Sequence, residues 1–346
     1  MRGYSSQEIQ WYLLHLKKPG LANFLGLKEF NSLNYQNLTP IHMKEQGKIW
    51  MNGKLVPFKN AKVHVLTHAL HYSTAVFEGI RCYKTTKGPA IFRLQEHVDR
   101  LFKSAKIYSM KIPYSKKEIS DGIIKTVQSS GLKECYIRPI AYYSYGVLGL
   151  TPTPNKIDVA IACWEWNTGE SSAGKVRGAR CKVSSWLRID SRSQPMQAKA
   201  ASNYANAALA RVEALKDGYD EAIMLNYHGK VSEGSAENIF TVNKGEIATP
   251  PLNAGILDGI TRDSVIKIAR SEGISVVERE IDRDELYLAE EVFMTGTAAE
   301  VKSVTEIDNV PVGDGKPGEV TRKLQNLFYE ISRGRDERFS DWLVSI

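Results

Sequence analysis

The chain has 346 residues, which is long enough for two domains with hydrophobic cores. Its apolar fraction of 42% and charged fraction of 25% are those of a globular protein and exclude a disordered or fibrous chain. The formal net charge of +7 comes from scattered Lys and Arg outside any nucleic-acid motif, so we expect no nucleic-acid partner. The four cysteines are far apart, and no apolar segment approaches the ~20 residues of a membrane helix, so we expect a cytoplasmic protein.

Residues 1–42 differ from the rest of the chain. Apolar residues recur at helical spacing from Ile9 to Leu16, until Pro19 interrupts the pattern. This N-terminal extension is either an amphipathic element that docks on the body or a partner, or a dispensable product of start-site choice. The second interpretation arises because Met43 precedes the first strong strand pattern.

Residues 43–166 are predicted to form a smaller N-terminal α/β domain. It opens with a β-hairpin, because Asn52-Gly53 joins two short β patterns. Apolar stripes of helical period over residues 98–105 and 119–127 predict two amphipathic helices. Two strand patterns follow, over residues 135–138 and 159–163.

The polar residues 167–175 are predicted to be an interdomain loop, and residues 176–346 a larger C-terminal α/β domain. A hairpin is expected around residues 243–245. Three helices are expected in this domain, and the first of them carries Tyr204, Ala208, Val212 and Leu215 on one face. The apolar residues of the other two helices lie in residues 265–269 and 324–331. The expected fold class is α/β, or α+β, with two mixed domains.

Lys199 lies in a run of small residues, 197–204, with no neighbouring carboxylate in the sequence. If this run is buried, poor solvation of the ammonium favours the neutral, nucleophilic amine, and the alanines leave room for a planar ring. An acidic turn (231–238) and two Gly/Thr-rich junctions (259–262 and 295–300) follow. A Schiff-base lysine, a carboxylate for a ring nitrogen and helix N-termini for a phosphate are what pyridoxal phosphate requires. The sequence therefore predicts a pyridoxal-phosphate enzyme.

Two other motifs have simpler explanations. Residues 313–318 match GxGxxG but open no βαβ unit, so we expect a surface loop before the last helix. His64, His68 and His71 are spaced along one face of a helix and would suit zinc. The residues around His64 alternate like a strand, however, and no carboxylate or cysteine is close in sequence. We expect hydrogen-bonded histidines and no metal.

The chain resembles branched-chain amino-acid aminotransferases of the fold-type IV pyridoxal-phosphate class, from about Lys48 to Ile331. Seven segments carry the resemblance: residues 68–72, 76–81, 136–139, 198–200 with 203–204, 232–238, 259–262 and 295–300. It implies two α/β domains with the cofactor between them. It also implies transamination between the branched-chain L-amino acids and 2-oxoglutarate, giving 2-oxo acids and L-glutamate. D-amino-acid aminotransferases and aminodeoxychorismate lyases share the fold and are the alternatives, although residues 77–81 and 136–139 favour the branched-chain group.

The resemblance implies a set of cofactor-binding residues. Lys199 would form the Schiff base and move a proton between the substrate α-carbon and the cofactor. Glu233 would pair with the pyridine nitrogen, Tyr204 would bond the ring oxygen, and Arg100 would bind the phosphate. Four further residues would complete the phosphate site, where Thr261 is also expected to cap a helix: Leu257, Ile260, Thr261 and Thr297.

The resemblance also implies a substrate pocket. Arg138 would bind the side-chain carboxylate of glutamate, and the amides of Thr297 and Ala298 with the Tyr136 hydroxyl would hold the α-carboxylate. Residues 146–150 would close the pocket of a neighbouring subunit, which implies a homodimer or higher homo-oligomer. Four aromatic residues would form the pocket wall: Tyr72, Phe77, Tyr136 and Trp166.

Three departures from the family pattern have consequences. Gly169 stands where many relatives carry a tyrosine, which weakens the hydrogen bonding expected around the glutamate carboxylate. Ala201-Ser202 replaces a common Gly-Gly pair and narrows the space near the cofactor. The sequence contains no CxxC motif, so the redox switch of some animal relatives is not expected.

Overall fold

The computed structural model describes residues 47–166 and 177–346. The predicted N-terminal extension (1–42), the predicted interdomain loop (167–175) and Gly169 lie outside these ranges, so the division into two domains stays a prediction. Among the described residues, no helix combines the length and the apolar character needed to cross a membrane.

The described residues form helices and strands that build two sheets. The strands are β1 (Lys48–Met51), β2 (Lys54–Pro57), β3 (Ala75–Phe77), β4 (Ile80–Thr85), β5 (Gly88–Phe92), β6 (Cys135–Tyr143), β7 (Ile157–Glu165), β8 (Ala179–Val183), β9 (Glu221–Leu225), β10 (Val231–Gly234), β11 (Asn238–Asn243), β12 (Glu246–Thr249), β13 (Val276–Glu278), β14 (Glu291–Gly296), β15 (Glu300–Ile307), β16 (Val310–Pro311) and β17 (Leu343–Ser345). The α-helices are α1 (His68–Tyr72), α2 (Leu94–Ile107), α3 (Lys116–Ser130), α4 (Ala201–Lys216), α5 (Ile260–Ser271), α6 (Glu285–Leu288) and α7 (Glu319–Ser332). Short 3-10 helices span Phe58–Asn60, Leu252–Ala254 and Glu337–Trp342.

The first sheet is antiparallel and has the strand order β17-β5-β4-β6-β7-β1-β2, with β3 paired to β6. The predicted β1–β2 hairpin is confirmed, and its turn residues Asn52 and Gly53 have φ of 49° and 89°. Positive φ at both positions matches the right-handed twist of the flanking strands, which explains the Asn-Gly signal. Strand β17 joins this sheet although it follows the second sheet in the chain, so the C-terminus completes the first sheet.

The second sheet is mixed and has the order β10-β9-β8-β15-β14-β11-β12-β13, with β16 paired to β15. Strand β8 lies parallel to both β9 and β15, and β12 lies parallel to β13. The predicted hairpin around residues 243–245 is the β11–β12 connection, where Lys244 and Gly245 have φ of 50° and 78°. This combination of mixed sheets and helices has the predicted α/β composition.

The predicted amphipathic helices bury their apolar stripes against the sheets. In α2 and α3, Leu101 and Ile123 pack with Ile137 and Ile161 of the first sheet. In α5 and α7, the buried residues of the predicted faces pack in a cluster with Phe240 and Phe293 of the second sheet: Val265, Ile268, Ala269, Leu324, Phe328 and Ile331. These contacts remove apolar surface from water, which is the main term that stabilises the fold.

Helix α4 packs through a different side from the one that the sequence singled out. Its buried residues are Ala207, Ala210 and Ala214, together with Asn203, whereas Val212 of the predicted face is exposed. Ala210 and Ala214 pack on residues of β9, because small side chains let a helix approach a strand closely. The larger apolar residues of α4 therefore face away from the core.

The two other sequence motifs are structural. Residues 313–318 form the connection between β16 and α7, as predicted, and Gly313 and Gly315 adopt positive φ there. His68 is buried, and its two ring nitrogens hydrogen-bond with the Thr74 hydroxyl and the Gly149 carbonyl, both at 2.8 Å. Within residues 47–166 and 177–346, no group of His, Cys, Asp or Glu is arranged to hold a metal ion.

Candidate active site

Four of the predicted residues, Lys199, Tyr204, Glu233 and Leu257, line one cavity. Lys199 precedes α4, Tyr204 lies in the first turn of that helix, and Glu233 lies on β10. The full lining is Arg188, Met196, Ala198, Lys199, Asn203, Tyr204, Glu233, Ser235, Ala236, Glu237, Asn238 and Leu257. The cavity therefore brings an amine and a carboxylate together from segments that are separate in the sequence.

The backbone of Lys199 is held on both sides. Its N–H donates to the Ser104 hydroxyl at 2.9 Å, and its carbonyl accepts from the Phe77 N–H at 3.0 Å. The side chain donates a hydrogen bond from Nζ to the Tyr204 hydroxyl and lies 5.1 Å from the centre of the Phe77 ring. The buried Ala198 and Ala200 add no polar group. The amine is thus presented between two aromatic rings.

Glu233 is a buried carboxylate with donors on both oxygens. Its Oε2 accepts from Asn238 Nδ2 at 2.9 Å and from the Leu257 N–H at 3.1 Å. Its Oε1 lies 2.5 Å from Arg188 Nη2. Burial raises the pKa of Glu233, and the Arg188 charge and the Leu257 N–H oppose that shift. A carboxylate held in this way can accept a hydrogen bond from a protonated ring nitrogen.

Helix α5 begins beside this carboxylate. Its first residue is Ile260 and its N-cap is Gly259, so the expectation that Thr261 caps the helix was wrong. A Cβ at position 259 would overlap the Asn238 side-chain amide, which explains the glycine. Among the described residues no side chain caps α5, so its first-turn N–H groups can bind an anion.

Arg100 projects from α2 to the same place. Its Nη1 donates to the Asp258 carbonyl at 2.8 Å, two residues before α5 begins. Its Nε and Nη2 donate to the two oxygens of Glu78 at 2.7 and 2.8 Å. Arg100 therefore adds a fixed, buried positive charge next to the N-terminus of α5.

Glu78 is buried and also hydrogen-bonds with His97 Nδ1 at 2.8 Å. Burial by itself would raise its pKa, but the charge and hydrogen bonds of Arg100, with His97, hold the pKa well below the ordinary carboxylate range. A depressed folded-state pKa stabilises the protein above the unfolded value of about 4.3, and this stabilisation is lost as the pH falls.

Glu78→Gln is therefore expected to destabilise the protein at pH 7 by about 3–5 kcal/mol, because it leaves Arg100 buried without its counter-charge. It is also expected to flatten the loss of stability between about pH 5 and pH 3. Urea unfolding across this pH range measures both effects, with the exposed Glu337→Gln as the matched control. A Glu78→Gln profile parallel to that of the wild type would contradict this prediction.

An aromatic wall lies next to Lys199. The Phe77 ring is 4.8 Å from the Tyr204 ring and 4.7 Å from the Arg138 guanidinium carbon. Tyr136 and Arg138 share one face of β6, and the Tyr136 ring lies 5.1 Å from that of Trp166. A Cβ on Gly79 would overlap the Tyr136 hydroxyl, so this glycine makes room for the wall. Four predicted pocket residues thus lie together.

Of the remaining predicted substrate-binding residues, Thr297 and Ala298 lie beside the cavity, whereas Tyr72 lies on α1. Thr297 and Ala298 belong to the turn between β14 and β15. This turn lies beside the cavity, since Gly296 is so close to the cavity residue Ala236 that a Cβ on it would be 3.3 Å from the Ala236 carbonyl. Tyr72 is 40% exposed on α1, where it packs against His68 and donates to the Leu148 carbonyl at 3.4 Å. Tyr72 therefore faces the segment that was predicted to meet a neighbouring subunit.

Comparison with known proteins identifies the family. The model of the family described as amino-transferase class IV matches residues 75–307. The chain belongs to the class IV aminotransferases. That match includes Lys199, Glu233, α5 and the turn at residues 297–299.

Individual aminotransferases resemble the chain over nearly their whole length. It is 43% identical over 296 residues to the branched-chain-amino-acid aminotransferase of Pseudomonas aeruginosa, covering 86% of this chain and 96% of that protein. It is 42% identical over 304 residues to the branched-chain-amino-acid aminotransferase of Escherichia coli K12, covering 88% of this chain and 98% of that protein. The T.th. branched-chain amino acid aminotransferase complexed with N-(5'-phosphopyridoxyl)-L-glutamate superposes with a TM-score of 0.84 at 47% identity, over 88% and 99% of the two chains. The resemblance and the fold-type IV architecture expected from the sequence are confirmed.

The residues of this aminotransferase fit pyridoxal phosphate. The cavity offers a primary amine, a buried carboxylate and, beside them, the N–H groups of α5 with Arg100. Two buried polar atoms of the cavity lining, Arg188 Nε and Asn203 Oδ1, have no hydrogen-bond partner among the described residues. A polar group bound in this cavity could therefore form hydrogen bonds with these two atoms.

The sequence analysis did not single out two residues that contact the predicted ones. Arg188, which pairs with Glu233, lies in an irregular segment after β8, and no periodicity singles it out. Trp164 stacks on Tyr136 with ring centres 5.1 Å apart, since the two residues are directly opposite each other on β6 and β7. The period-2 pattern of β7 places Trp164 on the same face as Trp166, and that signal was available in the sequence.

Proposed function

We propose that the enzyme transfers the amino group between the branched-chain L-amino acids (Leu, Ile and Val) and 2-oxoglutarate, giving branched-chain 2-oxo acids and L-glutamate. The observation that carries this proposal is the convergence of Lys199, Tyr204 and Glu233 in one cavity beside an aromatic wall that contains Arg138. The relatives named above, all branched-chain aminotransferases, support it. D-amino-acid transamination and aminodeoxychorismate cleavage would use the same lysine and carboxylate, but the comparisons do not favour them.

The chemistry supplied by bound pyridoxal phosphate is withdrawal of electrons from the α-carbon and storage of the amino group between the two half-reactions. Lys199 Nζ would take the proton from the substrate α-carbon and pass it to C4′ of the cofactor in the first half-reaction, and would move a proton in the opposite direction in the second. The Tyr204 hydroxyl, hydrogen-bonded to this amine, orients it and would bond the ring oxygen. Glu233 would accept a hydrogen bond from the pyridine N–H and so favour the protonated nitrogen.

The phosphate site is proposed at the start of α5. Arg100 supplies the positive charge, and its ion pair with Glu78 fixes the direction of the guanidinium. Backbone N–H groups of Ile260 and Thr261, with the Thr261 and Thr297 hydroxyls, would donate the remaining hydrogen bonds. The Leu257 N–H, which was expected at the phosphate, donates to Glu233 instead. The uncapped helix N-terminus supports this placement.

The substrate site is proposed between the aromatic wall and the turn at residues 297–299. The rings of Phe77, Tyr136 and Trp166 suit a branched apolar side chain through burial of apolar area. Arg138 would bind the side-chain carboxylate of glutamate in the other half-reaction. The N–H groups of Thr297 and Ala298, with the Tyr136 hydroxyl, would hold the α-carboxylate that both substrates share.

A homodimer is proposed from the exposed apolar surface around α1 and the segment at residues 145–150. This surface, which also carries Tyr72, contains Val65, Leu70, Tyr145, Val147, Leu148 and Leu150, all of them exposed. An exposed group of large apolar residues marks an interface, and two copies of one chain commonly associate around a two-fold axis. In such a dimer Tyr72 and the loop would complete the pocket of the neighbouring subunit.

Leu150→Asp is expected to convert the dimer to a monomer and to reduce turnover at least about tenfold, because it places a charge in the apolar interface. Leu288→Asp is the matched control, since Leu150 and Leu288 are 81% and 76% exposed and Leu288 lies on α6. Light scattering gives the mass of each variant. A dimeric Leu150→Asp enzyme would contradict this interface.

The cytoplasm is proposed as the site of action. Cys82, Cys135, Cys163 and Cys181 are free thiols, which is the state expected in a reducing compartment. Small-molecule amino acids and 2-oxo acids, rather than nucleic acid or membrane, are the proposed partners.

The experiment that tests the function is an absorption spectrum of the protein supplied with pyridoxal phosphate, before and after addition of L-leucine without a 2-oxo acid. We expect a visible band of the bound cofactor that L-leucine converts to the near-ultraviolet band of pyridoxamine phosphate. A visible band that responds to D-alanine and not to L-leucine would favour the D-amino-acid alternative. The absence of any visible band would contradict the whole proposal.

A further inference from the structure

On the face of the first sheet that carries Tyr136, two neighbouring residues each hold a buried N–H donor without an acceptor. They are Arg138 Nε and Trp164 Nε1, and neither finds a hydrogen-bond partner anywhere in the described part of the chain. A buried donor that is left unpaired costs free energy, so two such donors next to the aromatic wall favour a ligand that accepts hydrogen bonds from them.

The two donors belong to one cluster. Trp164 on β7 lies directly opposite Tyr136 on β6. Arg138 is two residues after Tyr136 on β6, so its side chain lies on the same face of the sheet. The Arg138 guanidinium carbon lies 5.8 Å from the Trp164 ring centre and 5.4 Å from that of Tyr136. Arg138 Nη2 approaches the Tyr136 hydroxyl only at 3.5 Å, the limit of a hydrogen bond.

The chemistry of the cluster selects an anion. An indole offers one N–H and no acceptor, and a guanidinium offers only donors and a fixed positive charge. An apolar side chain would fill the space between the rings but would leave both donors unpaired. A carboxylate has two oxygens with several lone pairs and can accept from both groups at once.

We propose that the Trp164 indole N–H, together with Arg138, binds the side-chain carboxylate of the dicarboxylic substrates, glutamate and 2-oxoglutarate. This inference rests on the proposed function and adds Trp164 as a residue that determines specificity for that half-reaction. The same pocket accepts a branched apolar side chain against the ring faces. The indole N–H therefore discriminates between the two substrates, whereas the ring surface serves both.

The test compares binding of two substrate analogues to the holoenzyme. Glutarate carries the side-chain carboxylate, and 4-methylvalerate carries a branched apolar side chain. Trp164→Phe removes the N–H and retains an aromatic ring, and the exposed Trp186→Phe is the control for loss of an indole. We expect the Kd of glutarate for Trp164→Phe to rise about tenfold or more, and that of 4-methylvalerate to change less than about threefold, as measured by calorimetry.

Equal weakening of both analogues would overturn the inference, because the indole would then act only through packing. Unchanged binding of glutarate would overturn it as well. In the wild-type chain, the indole N–H proton signal of Trp164 in a nuclear magnetic resonance spectrum is expected to move downfield with glutarate and not with 4-methylvalerate. The same response to both ligands would contradict the proposal even if the variant failed to fold.

Failure of this inference is distinguishable from failure of the proposed function. If L-leucine and L-glutamate both convert the wild-type cofactor while Trp164→Phe shows no selective loss for glutarate, only the role of Trp164 is wrong. If L-leucine leaves the wild-type spectrum unchanged, the proposed function itself is wrong.

Discussion

Lys199→Ala is expected to reduce transamination of L-leucine by at least about 10³-fold. The variant removes both the nucleophilic amine and the group that moves the α-proton, and the Tyr204 hydroxyl loses its partner. The backbone of residue 199 should stay in place, because its N–H and carbonyl are held by Ser104 and Phe77. Steady-state turnover with leucine and 2-oxoglutarate measures the loss.

Two further measurements separate a chemical role of Lys199 from a structural one. Lys199→Ala is expected to bind pyridoxal phosphate through Arg100 and the N-terminus of α5, since these contacts do not involve the lysine. The exposed Lys216→Ala, at the end of α4, should retain full turnover. Wild-type turnover in Lys199→Ala would refute the assignment of the site.

Arg138→Met is expected to reduce kcat/KM for 2-oxoglutarate by about 10²–10³-fold and the leucine half-reaction by less than about threefold. The methionine keeps an apolar stem against the Phe77 ring and removes the charge that would pair with a carboxylate. A charge-assisted hydrogen bond in a buried site contributes about 2–4 kcal/mol, which corresponds to this selective loss. Single-turnover rates of the two half-reactions with the wild type and the variant give the comparison.

The exposed Arg192→Met is the control, because the Arg192 side chain lies at the surface, where it forms an ion pair with Asp190 and a cation–π contact with Tyr227. Both half-reactions should keep their wild-type rates in that variant. If Arg138→Met lowers the leucine and 2-oxoglutarate rates equally, Arg138 is structural or binds the α-carboxylate that both substrates share. The contribution of Trp164 would then have to be reassessed with it.

Local patterns in the sequence predicted much of the fold correctly. Turn residues with positive φ marked the β1–β2 and β11–β12 hairpins, since few residues adopt that conformation at low cost. Stripes of apolar residues marked α2, α3, α5 and α7, because burial of one face is what stabilises such helices. The exception was α4, where the small alanines and not the larger apolar residues face the core.

The cap of α5 was also misjudged from local pattern. Thr261 is a residue type that caps helices, but the helix begins at Ile260 and its N-cap is Gly259. The Asn238 side chain leaves no room for a Cβ at position 259, so a Ser, Thr or Asp cap cannot stand there. That restriction comes from Asn238, which lies on β11 and is distant from Gly259 in the sequence. The residue type at the cap is therefore set by a tertiary contact and not by the local capping preference.

By itself, the sequence singled out the amine of Lys199 through its small neighbours, and the family resemblance of the motifs pointed to the carboxylate of Glu233 and the cation of Arg138. Only the tertiary structure decided what each of them contacts. Arg188 meets Glu233, and Trp164 meets Tyr136, through the arrangement of loops and the register of strands. A contact between distant segments depends on how whole sheets and helices pack, and no pattern within a short stretch of chain encodes that geometry.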